Sequence, residues 1–112
     1  MSNQNSKSEV REIINLQGQN LTRANFSRKN LRKAILIKTT LTEAILTKAD
    51  LTEADLTEAI LRKADLTEAI LKDATLKKAR LINAHLEGAN LEGAHLEGAV
   101  LREAILFTPL KF

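Results

Sequence analysis

The sequence predicts an all-β solenoid, because one spacing of apolar residues runs through nearly the whole chain. Leucine, or once Phe26, stands at every fifth position from Leu16 to Leu106, nineteen times in succession. Alanine stands two residues earlier at fifteen of the seventeen positions from Ala24 to Ala104. Such repeats are typical of solenoids, in which one unit cannot bury its apolar side alone and stacked neighbours form a continuous core.

The five-residue spacing excludes an amphipathic helix, although the composition, rich in Leu, Ala, Glu and Lys, favours helix formation. At about 100° per residue, a step of five residues turns roughly 140°, so the leucines would spread around the whole circumference of a helix. In extended backbone, residues i−2 and i point to the same side, so Ala and Leu of each Ala-x-Leu triplet both point inward. Each pentad is therefore predicted to be a short strand followed by a corner.

Residues 49–53 (Ala-Asp-Leu-Thr-Glu) and 89–93 (Ala-Asn-Leu-Glu-Gly) follow the motif A-(D/N)-L-x-x. In this motif the chain resembles the pentapeptide-repeat family over roughly residues 15 to 108. The resemblance implies a right-handed quadrilateral parallel β-helix with four pentapeptides per coil, in which residues twenty apart lie one above the other. With strands about 4.8 Å apart, it implies four to five coils and a rod roughly 22 Å long.

The N-terminal segment, residues 1–14, is polar at its start and is expected to close the first coil. Ser6 and Glu9 have the spacing of a helix capping box, and Val10, Ile13 and Ile14 would form one apolar face. We therefore predict a short capping helix near residues 7 to 14. The β-helix itself is predicted to occupy residues 15–108.

The C-terminal cap, residues 109–112, begins at Pro109, which cannot continue the strand pairing. Phe107, Leu110 and Phe112 are predicted to fold over the last coil or to form a joint with a second molecule. We expect the intramolecular cap, and hence a monomer, with the joint as the alternative.

Three inward positions near the start of the solenoid carry polar residues in place of alanine: Gln19, Lys29 and Thr39. An unpaired ammonium group is too costly to bury, so the side chain of Lys29 is expected to reach solvent.

The second residue after each core Leu lies at a corner, and its charge alternates in sign at intervals of twenty residues. The columns are Arg23-Glu43-Lys63, Lys48-Glu68, Lys33-Glu53 and Lys38-Glu58-Lys78. Asp73 above Glu53 is the exception. Such exposed pairs contribute only about 0 to 1 kcal/mol each, but they penalise a slipped stack that brings like charges together. The pattern predicts a role in register, with recognition of a partner as the alternative.

Gly88, Gly93 and Gly98 stand at three successive corners. A type II turn requires φ > 0 at its third residue, so type II turns are predicted at these glycines and another turn type at the Glu and Lys corners. A glycine-rich phosphate site is not indicated, because no helix and no Gly-Lys-Ser/Thr element follow them.

No enzyme, metal site or cofactor is predicted. His85 and His95 are ten residues apart, which places them on opposite faces of a four-sided coil. The chain has no Cys, and its carboxylates are predicted to lie on solvated outer columns where nothing raises a pKa.

The candidate partner surface is a small patch of Ile35, Ile37 and Lys38. The two isoleucines flank Leu36 on one strand, so both are predicted to face water. The alternative is that the N-terminal segment covers them.

The predicted function is a non-enzymatic binding or scaffolding module with a protein partner. One alternative is a DNA mimic that acts on DNA gyrase or another topoisomerase, as the resemblance to the family's quinolone-resistance members implies, but the net charge of +3 and the broken acidic surface depart from that pattern. Another is a self-associating structural rod.

Direct binding of nucleic acid is disfavoured, because the basic residues around the first coil are followed at once by an acidic belt, and the chain has no Trp or Tyr to stack on bases. No apolar run reaches the length of a membrane span, and the polar start has no signal-peptide pattern, so we expect a soluble cytoplasmic protein.

Overall fold

The computed structural model describes residues 12–106, which wind into a coil of twenty residues per turn. Parallel bridges join residues twenty apart, from Asn15 with Ile35 to His85 with Ile105. Within the described range only one residue in five forms a bridge, the residue before each core Leu, and there is no helix or longer strand. The short strands expected from the sequence are therefore reduced to single bridging residues between turns.

The backbone of each pentad forms three kinds of hydrogen bond, as the pentad around Leu61 shows. The amides of Leu61 and Lys63 donate to the carbonyls of Arg80 and Ile82 on the next coil, at 2.7 and 2.9 Å. The amide of Ile60 donates to the preceding coil, and the amide three residues after Leu61 donates back to the Leu61 carbonyl at 3.0 Å, closing the corner. Four of the five amides in this pentad are thus paired with backbone carbonyls.

All corners share one backbone conformation, so the turn type predicted for the charged corners is wrong. Gly88, Gly93 and Gly98 have φ of 71 to 74°, as the type II turn requires, but fourteen non-glycine corners, such as Lys63 and Glu43, also have positive φ, between 58 and 62°. A left-handed conformation costs a non-glycine residue roughly 1 to 2 kcal/mol. Here the stack imposes it, because the corner amide must reach a carbonyl of the next coil.

Leucine and alanine fill the interior of the coil, as the five-residue spacing predicts. Every core Leu from Leu36 to Leu86 is at most 1% exposed. Lys29 is exposed, as expected, and Gln19 is exposed as well. Thr39 is fully buried in an alanine position, where its hydroxyl donates to the carbonyl of Leu36 at 2.8 Å. Its one polar group is thereby satisfied.

The two predicted caps fall mostly or wholly outside the described residues. The N-terminal helix near residues 7 to 14 overlaps the structure only at residues 12–14, which are not helical. The carbonyl of Ile14 instead accepts a hydrogen bond from the amide of Ile35 at 2.8 Å, so coil pairing already includes it. Residues 109–112, together with Phe107, lie beyond the described range.

Candidate interaction surface

The twenty-residue stack gives the rod four faces, each formed by one column of pentads. Face A carries core positions 16, 36, 56, 76 and 96; face B carries 21, 41, 61, 81 and 101; face C carries 26, 46, 66, 86 and 106; and face D carries 31, 51, 71 and 91. On each face, the residues before and after the core Leu point outward. These outward positions and the corners are the surface available for binding.

The Asp or Asn that precedes many core leucines has a structural role. Asp50 shows it: its Oδ1 accepts hydrogen bonds from the amide of Thr52 at 3.1 Å and from the Thr52 hydroxyl at 2.6 Å. The same paired bonds recur where Asp or Asn is followed by Thr two residues later, at Asn20, Asp55 and Asp65. These carboxylates and amides brace the turn that follows, in the manner of an Asx turn, and are not free for chemistry.

The ionisation of Asp50 agrees with this role. Burial opposes the charged form, but hydrogen bonds from Thr52 and from Arg32 outweigh it, so the pKa of this carboxyl lies below its ordinary value. The Arg32 guanidinium lies 3.3 Å from Asp50 Oδ2. Asp50 is therefore an anion at neutral pH and a poor general acid.

The corner charges pair between coils as the sequence predicts. Four corner pairs of opposite charge twenty residues apart lie 2.9 to 3.9 Å from each other: Arg23–Glu43, Lys33–Glu53, Lys38–Glu58 and Lys48–Glu68. Four of the acidic corners are thereby matched with basic ones, whereas Asp73 and Glu103 form no ion pair within residues 12–106. The described surface offers no continuous acidic face of the kind that a DNA mimic needs.

The two histidines lie on different faces, as predicted. His85 on face C has its Nδ1 3.5 Å from Glu87, and His95 on face A has its Nδ1 4.0 Å from Glu97. Over residues 12–106, no cluster of three or more His, Cys, Asp or Glu residues could hold a metal ion. In the same range, no helix is long and apolar enough to cross a membrane.

A leucine-lined opening lies at the C-terminal end of the described coil. Eight core leucines, one from each pentad between Leu71 and Leu106, line it. Leu101 and Leu106 are 38% and 46% exposed, because no described coil covers them. The opening contains no polar group that could orient a substrate.

The predicted partner patch lies on face A beside Leu36. Ile35 and Ile37 are half-buried, since outward side chains of stacked coils shield one another, while Lys38 is exposed at the corner. Lys38 is also 3.9 Å from Glu58. The structure thus brings the three residues together on one edge of the face.

Face B carries a cluster of cations that reading along the chain does not reveal. It has five basic and two acidic residues, whereas face A has three of each, face D four of each and face C two basic and three acidic. Sorting the sequence into columns of twenty would have found this excess. Reading it as bands along the axis hides it, because each band mixes all four faces.

Comparison with known proteins places these features in context. A model of pentapeptide repeats matches the chain in eight copies, over residues 14–47, 34–73, 49–88 and 79–106. Among proteins of curated function there is no match.

Several solved structures are similar to the chain. A pentapeptide repeat protein of the cyanobacterium Cyanothece has a TM-score of 0.80 and 36% identity, over 82% of this chain and 63% of that one. A pentapeptide repeat protein of the Arabidopsis thaliana thylakoid lumen has a TM-score of 0.82 and 30% identity, over 89% and 70%. HetL of Nostoc, involved in heterocyst differentiation regulation, has a TM-score of 0.54 and 44% identity, over 73% and 41%. The chain thus spans under two thirds of the length of the Cyanothece protein and of HetL.

Proposed function

The chain belongs to the pentapeptide repeat family, and we propose that it is a non-enzymatic module that binds or scaffolds another protein. The proposal depends on the contrast between the inward and the outward positions of the coil. The inward positions are filled mainly by leucine and alanine, and the opening at the C-terminal end of the described coil is lined by leucine alone. The outward positions form regular faces, and apart from the Asp and Asn residues that brace the turns, their side chains are not needed for the pairing of coils.

We place the partner contact at Ile35, Ile37 and Lys38. The two isoleucines lie side by side on face A, flanking a buried leucine, and the cation at the corner adds a charged rim. An apolar centre with a charged edge is the usual arrangement of a protein interface. The rigid coil holds these side chains in place, so little conformational entropy is lost when they are covered.

Affinity capture from the soluble lysate of the source organism tests this proposal. The native chain is compared with an Ile35→Lys, Ile37→Lys variant whose fold is checked by circular dichroism. The matched control is Ile45→Lys, Ile70→Lys, which changes two outward isoleucines that are 39% and 38% exposed on faces C and D. We expect a protein captured by the native chain and the control but lost with the first variant. Equal capture by all three chains would contradict this location.

Self-association end to end is a second candidate function, favoured by the leucine-lined opening. Leu101 and Leu106 expose apolar surface at the end of the described coil, and Phe107, Leu110 and Phe112 follow them in the sequence. We expect these three residues to form an intramolecular cap, with a second copy as the alternative. Light scattering at high protein concentration distinguishes the intramolecular cap from end-to-end association. A monomer would exclude the self-associating rod. A dimer that dissociates in the Leu110→Ser, Phe112→Ser variant would support the rod.

The family relationship supports the architecture that we propose. We take the coil to be the right-handed quadrilateral β-helix of four to five coils, and we propose a short N-terminal capping helix that ends before residue 12. We also propose that the protein acts in the cytoplasm, which fractionation of the source cells would test.

A further inference from the structure

The outward positions on the C-terminal half of face B form a checkerboard of arginine and aliphatic side chains. We call this set the arginine face: Ile60, Arg62, Arg80, Ile82, Val100 and Arg102. Bridges join residue 60 to 80 and 80 to 100, and the amide that follows Ile82 donates to the Arg102 carbonyl at 3.1 Å, so the three pairs lie on successive coils. With coils about 4.8 Å apart, Arg62 and Arg102 are separated by roughly 10 Å along the axis, and Arg80 lies between them on the other side of the leucine column.

The three arginines are exposed and have no counterion within residues 12–106. All five ion pairs of Lys or Arg in that range use cations that precede residue 50. The neighbours twenty residues away in each column explain why these arginines form no such pair. Arg80 is stacked between Ile60 and Val100, and Arg62 is stacked between Thr42 and Ile82, so neither meets a carboxylate one coil away. Between residues 12 and 106, these charges therefore add no ion pair to the fold.

The aliphatic residues between the arginines complete the surface. Ile60 and Ile82 are half-buried and Val100 is 39% exposed, so each presents an apolar spot next to a guanidinium. Arginine and apolar side chains together are typical of protein interfaces, and guanidinium groups pair with carboxylates through two parallel hydrogen bonds.

We infer that the arginine face is a docking surface for an extended, acidic protein segment that presents both carboxylate and aliphatic side chains on one side. Charge complementarity supplies the counterions that residues 12–106 lack. Every second side chain of an extended segment points the same way, so a segment with carboxylate and aliphatic residues in turn at every second position would present both kinds to the checkerboard. Nucleic acid fits less well, because Glu43 and Glu103 stand at the corners of the same face and would repel a phosphate backbone that extends past the patch. The inference rests on the proposed binding role but uses a surface separate from Ile35 and Ile37.

Fluorescence anisotropy tests the inference with a labelled peptide of about seven residues, Glu-Ser-Val-Ser-Glu-Ser-Val, called the Glu-Val peptide, whose Glu and Val side chains share one side of the extended backbone. The test variant is Arg62→Gln, Arg80→Gln, Arg102→Gln. The control, Arg28→Gln, Lys72→Gln, Lys77→Gln, removes the same charge from exposed cations on faces C, D and A that form no ion pair in the described range. Two further probes are a peptide with Ser in place of Val and a short DNA duplex.

We expect the native chain and the control to bind the Glu-Val peptide about equally, and the test variant to bind it about tenfold more weakly or worse. The Ser peptide should bind more weakly than the Glu-Val peptide. The Ile35→Lys, Ile37→Lys variant should bind the peptide normally, so failure of that patch is distinguishable from failure of this one. Equal loss in both triple variants, native binding no tighter than that of the test variant, or tighter binding of the duplex would overturn the inference.

Discussion

Leu61 and Leu101 occupy the same column of face B, two coils apart, and differ only in what lies above and below them. Each accepts the same corner hydrogen bond on its carbonyl, at 3.0 Å from the amide three residues later. Yet Leu61 is 0% exposed and Leu101 is 38% exposed. The pentad thus determines local backbone shape, whereas burial comes from the neighbouring coils. This division is the expected behaviour of a solenoid.

The largest effect is expected when a charge enters the middle of the interior. Leu61→Glu removes a fully buried leucine and desolvates a carboxylate, at a cost of several kcal/mol for the charge alone, comparable with the whole stability of a small domain. The variant should lose its cooperative thermal transition in circular dichroism. Thr57→Glu, at an outward position, should keep that transition, and equal effects of the two changes would show that the inward and outward assignments are wrong.

Replacing Leu61 or Leu101 by alanine compares how much a leucine contributes to stability in the middle of the coil and at its end. Leu61→Ala should lower the free energy of unfolding by about 2.7 to 5 kcal/mol, the range for a buried leucine that leaves a cavity. Leu101→Ala should cost only about 1 to 2 kcal/mol, because its side chain is already partly in water. Urea denaturation measures both, and equal losses would mean that Leu101 is covered in solution.

The turns that are braced by an Asp or Asn side chain should also contribute more to stability in the middle of the coil than near its end, but by a smaller amount. Asp50→Ala removes the acceptor of two Thr52 hydrogen bonds and should cost about 1 to 2 kcal/mol at neutral pH. Asn90→Ala, nearer the end, removes one bond to an exposed amide and should cost less. A larger loss for Asn90→Ala would contradict this order.

The same carboxyl predicts a pH dependence. Because the folded-state pKa of Asp50 lies below its unfolded value of about 4, its ionisation stabilises the fold above pH 4. That contribution is lost as the pH falls through the folded-state pKa. Chemical denaturation from pH 6 downward should therefore show less acid sensitivity in Asp50→Ala than in the native chain. This prediction would be contradicted if the free energy of unfolding changed equally with pH in the two proteins.

The smallest effect is expected at the corners. Glu43→Gln breaks the 2.9 Å contact with Arg23, but the two side chains are 38% and 76% exposed, so the loss should be under about 1 kcal/mol. Glu103→Gln, which breaks no ion pair within residues 12–106, should change stability by less still. A double-mutant cycle on Arg23 and Glu43 would isolate the pair, and a coupling well above 1 kcal/mol would give the corners a larger role.

The sequence predicts the interior and the stacking well because both follow from one strict period. It does not predict the corner conformation: a local rule reserves positive φ for glycine, but pairing between coils forces Lys63 and Glu43 into it as well. Likewise, the five-residue period does not predict the role of Thr52, whose amide and hydroxyl both donate to Asp50 Oδ1. The excess of cations on face B depends on which residues share a column, so it is visible in the sequence only when the chain is sorted into columns of twenty residues.

Native-state hydrogen exchange, resolved by residue, tests most directly the claim that each coil is stabilised by the coils on both sides of it. The amides of Ala64 and Leu66, which donate hydrogen bonds at the middle of the stack, should exchange only with global unfolding. Those of Ala99 and Ala104, with the same turn bonds at the end, should exchange at lower free energy. Uniform protection from residue 16 to residue 106 would contradict the account, because stability would then reside in each pentad and not in the stack.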